Sequence, residues 1–173
     1  MDEALQLAIE MSEQNWAAFK NAVKGLTPDE IQWRPLPQAN NINALMKHLR
    51  VTEEWYATGI EKGEQSPYHD RGSIEQLTDS VPLNFEQNLK ELEEFHNRFI
   101  ATLRATTLAD LRRKTFLSQI MPGQEPRPAN TLLVREIMHL AAHGGQIRTI
   151  RNLYRTTRGE QGLFLPQNPL FAE

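Results

Sequence analysis

An all-α four-helix bundle with short inserts is the fold class this sequence predicts, on three observations. Apolar residues recur at three- and four-residue steps over four long stretches. Capping residues and glycine or proline stops bracket those stretches. The β-compatible run is short and broken by proline. The chain has 173 residues, 39% of them apolar and 24% charged. That suits one domain spanning 1–173 with a sizeable core.

The first helix is expected from Asp2 to about Lys24, where Leu5, Ile9, Trp16, Phe19 and Val23 form the stripe and Gly25 follows as a stop. LTPDEIQWRP then reads as a capping box: Thr27 caps, Pro28 takes the first helical position, and Glu30 stands three residues after Thr27. Pro35 and Pro37 end that short helix. Asn40 or Asn41 can cap the next one, whose stripe runs through Ile42, Leu45, His48 or Leu49, Thr52 and Trp55 or Tyr56 to a stop at Gly63. Residues 64–80, with their Gly, Pro, Ser and Asp, read as a loop over one end of the bundle. Pro82 to Ala105 is a third long helix with Phe85, Leu89, Leu92, Phe95, Phe99 and Leu103 on one face, and Thr107 caps a short turn. TFLSQIMPGQEPRPANT suits either a short hairpin or an ordered loop. Asn130 or Thr131 opens the last long helix, to about Thr157, and the apolar tail GLFLPQNPLFAE is expected to pack against a surface or a partner.

Composition narrows the function. Without cysteine, disulfides, zinc ribbons and thiol nucleophiles of the chain's own are excluded. Net charge is −3 with both signs interspersed, so no nucleic-acid partner is expected. Arg148, Arg151, Arg155 and Arg158 come closest to a basic patch, but they lie near a helix C-terminus, where cations suit the macrodipole. No 18-residue apolar run occurs, so no membrane span is expected. The acidic, amphipathic start MDEALQLAIEMSEQNW has no secretion-signal pattern, and a cytoplasmic protein is the default expectation. Neither GxGxxG nor GxxxxGK[ST] occurs, so no nucleotide fingerprint is present.

One stretch points to chemistry. HLAAHGGQ, residues 139–146, places two of five histidines four apart, one turn above each other on a helix face. His139 and His143 can bind one metal ion as zincin histidines do, although Leu140 stands where a zincin carries its glutamate. Catalytic zinc sites usually take three protein ligands. His48, mid-helix in an inward stripe, is the natural third. His69 falls in the loop, and His96 is expected beside the core face of its helix and not on it. Each histidine alone is more often hydrogen-bonded core, and an HxxxH pair alone is as often chance spacing; together they favour metal. Gly144 and Gly145 inside a helix cost about 1 kcal/mol each against alanine, which a close approach by a helix or ligand would justify.

These motifs resemble the DinB/YfiT-like superfamily, four-helix proteins that include bacillithiol-type thiol transferases. LTPDEIQWRPLPQANNINALMKHL is similar to the family's first-helix exit and the helix bearing its first histidine, here His48. The long middle helix is similar too, and EIMHLAAHGGQIRTIRNLY resembles the late helix with H-x-x-x-H-x-GQ, here His139, His143, Gly145 and Gln146. The likeness spans about residues 5–155. It implies an up-down-down-up helix order, a three-histidine site for Zn²⁺ or Ni²⁺, and frequent homodimers. Gly144 departs from the aromatic or histidine that many members carry after the last ligand, which leaves the substrate pocket open.

The expected function is a metal-dependent enzyme of thiol-transferase or hydrolase type, acting on a small-molecule or thiol substrate, with His48, His139 and His143 as ligands. Such a site lowers the pKa of a bound water or thiol. Glu53, Glu54 and Glu136 are candidate bases. Glu136 could equally orient an imidazole or be a solvated charge. Gln146 could hydrogen-bond a ligand, and Trp55 and Tyr56 are either pocket lining or core. The alternative is a non-catalytic, stress-related binding or dimerisation module with a structural or vacant metal site.

Overall fold

The computed structural model describes residues 2–65, 74–116 and 126–162. His69, residues 117–125 and the tail beyond Gly162 fall outside them. Four long helices carry the fold: α1 (Glu3–Val23), α3 (Ile42–Lys62), α5 (Phe85–Arg104) and α7 (Thr131–Thr157). Short helices α2 (Pro28–Gln32), α4 (Ile74–Ser80) and α6 (Leu108–Arg113) lie between them, with a 3₁₀ turn at Gly63–Gln65. None of the described helices is long and apolar enough to cross a membrane.

Local chemistry accounts for the helix ends. The Asp2 carboxylate accepts from the Ala4 and Leu5 amides. At α2, Thr27 Oγ1 accepts from the Glu30 amide at 3.2 Å while Glu30 Oε2 accepts from the Thr27 amide at 2.9 Å, completing the capping box. Of the two asparagines, Asn41 caps α3, accepting from Ala44 at 2.8 Å. Gly63 ends α3 at φ +59°, where a Cβ would be strained. Neither candidate caps α7 with its side chain: Asn130 makes no capping bond, and Thr131 Oγ1 donates back to the Pro128 carbonyl. Of the hairpin and the loop, a minimal hairpin forms, pairing β1 (Thr115–Phe116) with β2 (Arg127–Pro128) antiparallel.

One stretch read as loop is partly helix. Ile74 and Leu77 at helical spacing turn α4 against α3, with Ile74 buried; loop-like composition upstream masked that short apolar pair.

Helix α3 lies along α5, α1 along α7, and α3 also packs on α7. Arg50 joins Glu91 at 2.6 Å and Arg98 donates to Thr58 at 3.0 Å across α3 and α5. Ser12 meets Glu136 and Asn15 meets the Ile137 carbonyl across α1 and α7. Glu13 pairs with Arg104, and Lys20 with Glu93, across α1 and α5.

The core falls into two apolar halves. One gathers Leu5, Ile9, Trp55, Ile60, Phe99, Leu103 and Leu132. The other gathers Trp16, Phe19, Ile42, Leu45, Leu49, Leu92, Leu140 and Ile147. Along each long helix the switch between halves is marked by polar residues: Ser12 on α1, His48, Thr52 and Glu53 on α3, His96 on α5, and Glu136 and His139 on α7. A polar layer therefore crosses the middle of the bundle.

Arg151 departs from the expected role of its cluster. It is buried at 4% exposure, and it serves the end of another helix: Nη1 donates to the Ala22 carbonyl at 2.7 Å and the Lys24 carbonyl at 3.2 Å, and Nε reaches Glu30 Oε1 at 3.4 Å. The cation thus answers the C-terminal carbonyls of α1 and locks α2 to α7. Replacing it strands a buried carboxylate. Arg151→Ala should lower stability by about 3–5 kcal/mol, read as a drop in the urea midpoint at unchanged slope; a loss under about 1 kcal/mol would contradict this account of the joint.

Candidate metal centre

Helix α3 supplies His48, and successive turns of α7 supply His139 and His143. Their Nε2 atoms converge. His139 Nε2 lies 2.9 Å from His48 Nε2 and 3.1 Å from His143 Nε2. All three side chains are half-buried, and their donor atoms lie within 4.8 Å of one another.

The outer ring nitrogens decide what the inner ones can do. His143 Nδ1 sits 2.7 Å from Gln146 Oε1, one turn on. The amide oxygen accepts, so Nδ1 carries the proton and Nε2 keeps its lone pair. Thr52 Oγ1 donates to the His48 and Leu49 carbonyls at 3.0 Å and stands 3.5 Å from His139 Nδ1, which can donate to it. With both Nδ1 atoms protonated, two Nε2 lone pairs face each other at 3.1 Å. That contact is repulsive unless a cation lies between them. Three convergent imidazole nitrogens are also a donor set that Zn²⁺ and Ni²⁺ favour, so the residues present fit such an ion.

Electrostatics keep these rings neutral. Burial, then the neighbouring His143, lowers His48 to about 4 despite the pull of Glu75. Burial, then His143 and His48, lowers His139 to about 3. Burial lowers His143 as well, against the opposing bond to Gln146. Neutral imidazole is the ligating form.

A second group lies deeper in the same layer. Glu53, His96 and Glu136 are all buried and bring their donor atoms within 4.8 Å of one another. These are the two groups among the described residues that could hold a metal ion. His96 Nδ1 is 3.4 Å from Glu136 Oε1 and 4.0 Å from Glu53 Oε2. Ser12 Oγ donates to Glu136 Oε2 at 2.8 Å, and the Trp16 ring stacks on His96 at 4.6 Å. Burial, then the charge of Glu136, pushes Glu53 well above the usual carboxylate range.

Several expectations change here. His96 is on the core face, 1% exposed: the buried stripe of α5 runs Leu92, His96, Phe99, Leu103, and Phe95 packs only partly against it. The spacing 92-96-99-103 is the signal that the apolar-only reading missed. Glu136 is not a solvated charge; it is fully buried and faces His96 rather than one of the three convergent histidines. Glu54 is engaged by Arg50 at 2.6 Å. Trp55 and Tyr56 are core, 2% and 3% exposed, although the Tyr56 ring lies 5.8 Å from that of His139. No helix makes a close approach at the glycines: a Cβ at Gly144 would meet Phe19 at an ordinary 3.9 Å, and one at Gly145 would meet nothing within 4 Å.

Two clefts flank the histidines. One of about 390 Å³ is lined by His48, Arg34, Lys47, Glu75 and Asp79. Another of about 490 Å³ is lined by Gln146, Gly145, Leu45 and Leu153. A larger cleft of about 620 Å³, between α1 and the start of α5, holds none of the three histidines. Convergent donors, not size, mark the centre.

The depressed histidines fix a pH response for the metal-free protein. Above 6.5 the rings are neutral whether the chain is folded or not. As pH falls from 6.5 towards 4, the unfolded chain takes up protons that the folded one refuses, so stability falls over that window. Thermal melts in chelator should show this loss, and His139→Gln should shallow it. The raised Glu53 carboxyl acts in the opposite direction over the same window, so the comparison with His139→Gln decides: an equal pH dependence in the two proteins would be inconsistent with neutral buried rings.

The family model described as DinB superfamily matches residues 11–147 of the chain. No curated protein matches it significantly.

Proposed function

This chain belongs to the DinB superfamily, and on that premise we propose that it is a metal-dependent enzyme whose ion, Zn²⁺ or Ni²⁺, is held by His48, His139 and His143. The observation that carries the reading is the convergence of three Nε2 atoms from two helices, with His143 held by Gln146 and His139 beside Thr52. Up-down-down-up is the helix order we propose with it. The contact pairs support that order: they run in the same chain direction for α3 with α5 and for α1 with α7, and in opposite directions for α1 with α5.

An ion in this place supplies Lewis acidity, which favours the ionised form of a water or thiol that reaches it. The chain's own residues do the rest. Gln146 keeps the proton of His143 on Nδ1 and so presents Nε2 inward; losing such a partner typically weakens metal affinity 10- to 100-fold. The cleft beside His48 mixes cationic Arg34 and Lys47 with anionic Glu75 and Asp79, a lining that suits a small polar or thiol substrate. This supports a thiol-transferase or hydrolase.

A non-catalytic dimerisation module is the second reading, and one observation favours it. Leu7 and Met11 on α1 and Val134 and Met138 on α7 are exposed large apolar side chains on two packed helices, a surface that suits a homodimer.

Elemental analysis and turnover separate the readings. The purified protein should retain about one Zn²⁺ or Ni²⁺ through the triad. His48→Ala and His143→Ala should lose it, and Gln146→Leu should weaken it about tenfold or more. Loaded protein should transfer a small thiol to an electrophile, or hydrolyse an activated ester, well above His143→Ala. Metal retained with neither activity would favour the module. No ion bound under any loading condition would remove the enzyme reading.

A further inference from the structure

The polar layer holds two carboxylates where water does not reach. Glu53 and Glu136 are 0% exposed and His96 is 1% exposed. Both oxygens of Glu53, Oε1 of Glu136 and Nδ1 of His96 have no hydrogen-bond partner. Leaving that many polar atoms dry and unpaired is strongly unfavourable. No Lys or Arg is paired with either carboxylate among the described residues' ion pairs.

The orphaned atoms point at one another. Glu53 Oε2 at 4.0 Å is beyond hydrogen-bond reach of His96 Nδ1, and Glu136 Oε1 at 3.4 Å makes no hydrogen bond to it. These separations are the spacing of N and O ligands around a shared ion, since donors at ~2.0–2.2 Å from a metal stand ~3–4 Å apart. Neighbours hold the set in place: Ser12 takes up Oε2 of Glu136 and leaves Oε1 turned towards His96, and Trp16 fixes the imidazole plane.

We propose that Glu53, His96 and Glu136 form a second divalent-cation site, closed to solvent and separate from the three histidines. Two carboxylates and one imidazole favour a harder first-row ion, Mn²⁺ or Fe²⁺, where three imidazoles favour Zn²⁺ or Ni²⁺. The two sites are different levels of one bundle. Glu53 lies five residues past His48, ~7.5 Å along α3, and Glu136 three residues before His139, ~4.5 Å along α7. The ion would neutralise the buried charge and tie α3, α5 and α7 together.

The test uses Mn²⁺ and does not depend on the triad. In His48→Ala/His143→Ala protein freed of metal by chelation, Mn²⁺ at about 100 times its Kd should raise the melting temperature by roughly 5–10 °C. Heating opens the bundle, so a closed core does not bar entry. Adding Glu53→Gln should abolish the rise while increasing the metal-free melting temperature, because it removes a buried carboxylate that faces Glu136. Glu136→Gln gives a second variant with the same expected loss, and electron paramagnetic resonance counts the bound Mn²⁺. A double variant whose melting ignores Mn²⁺, or a rise that survives both glutamine substitutions, would overturn the second site. Failure of the triad would show differently, as equal ion counts in the wild type and the double variant.

Discussion

The contact between α3 and α7 is what the rest of the structure depends on. Both polar groups are assembled across it: His48 against His139 and His143, and Glu53 with Glu136. Gly59 marks how tight it is, since a Cβ there would stand 3.0 Å from Leu132 Cδ1, deep in the core. A slip of one residue between these helices would rotate each histidine by about 100° from its partner. The apolar halves on either side of the polar layer hold that register, because Leu132 belongs to one and Leu140 to the other.

A polar layer in the middle of a bundle is unfavourable in itself. Replacing buried ionic groups by packed apolar ones is often neutral or stabilising, so Ser12, Glu53, His96 and Glu136 do not earn their place by stability. They also sit at the level where the four long helices come together, the position at which bundle proteins build ligand and metal sites from facing side chains. The arrangement of Gln146 on His143 and Ser12 on Glu136 has the same logic in both groups: an outer partner occupies one atom of the side chain and leaves the other turned inward.

Much of the fold was legible because its signals are local. The Thr27–Glu30 box, the Asn41 cap and the Gly63 stop each depend on a few neighbouring residues. The four long helices were visible as apolar stripes. The candidate triad was legible through the four-residue spacing of His139 and His143 and the inward place of His48. Other features were hidden because they are set by packing. A stripe read from apolar residues alone passes over His96, Glu53 and Glu136, which occupy inward positions as polar residues. Arg151 looked like a helix-end charge because its partners, the carbonyls of Ala22 and Lys24, are more than 120 residues away. Of the two explanations for Gly144 and Gly145, close approach by a helix is not supplied by their surroundings, and Gly145 lines a cleft.

Anomalous diffraction from crystals of the Zn²⁺-loaded protein, recorded at the zinc edge, tests the central claim most directly. The account predicts a peak about 2.1 Å from each of the Nε2 atoms of His48, His139 and His143. Well-ordered rings with no peak between them, or with the ring of His48 turned away from the other two, would contradict it.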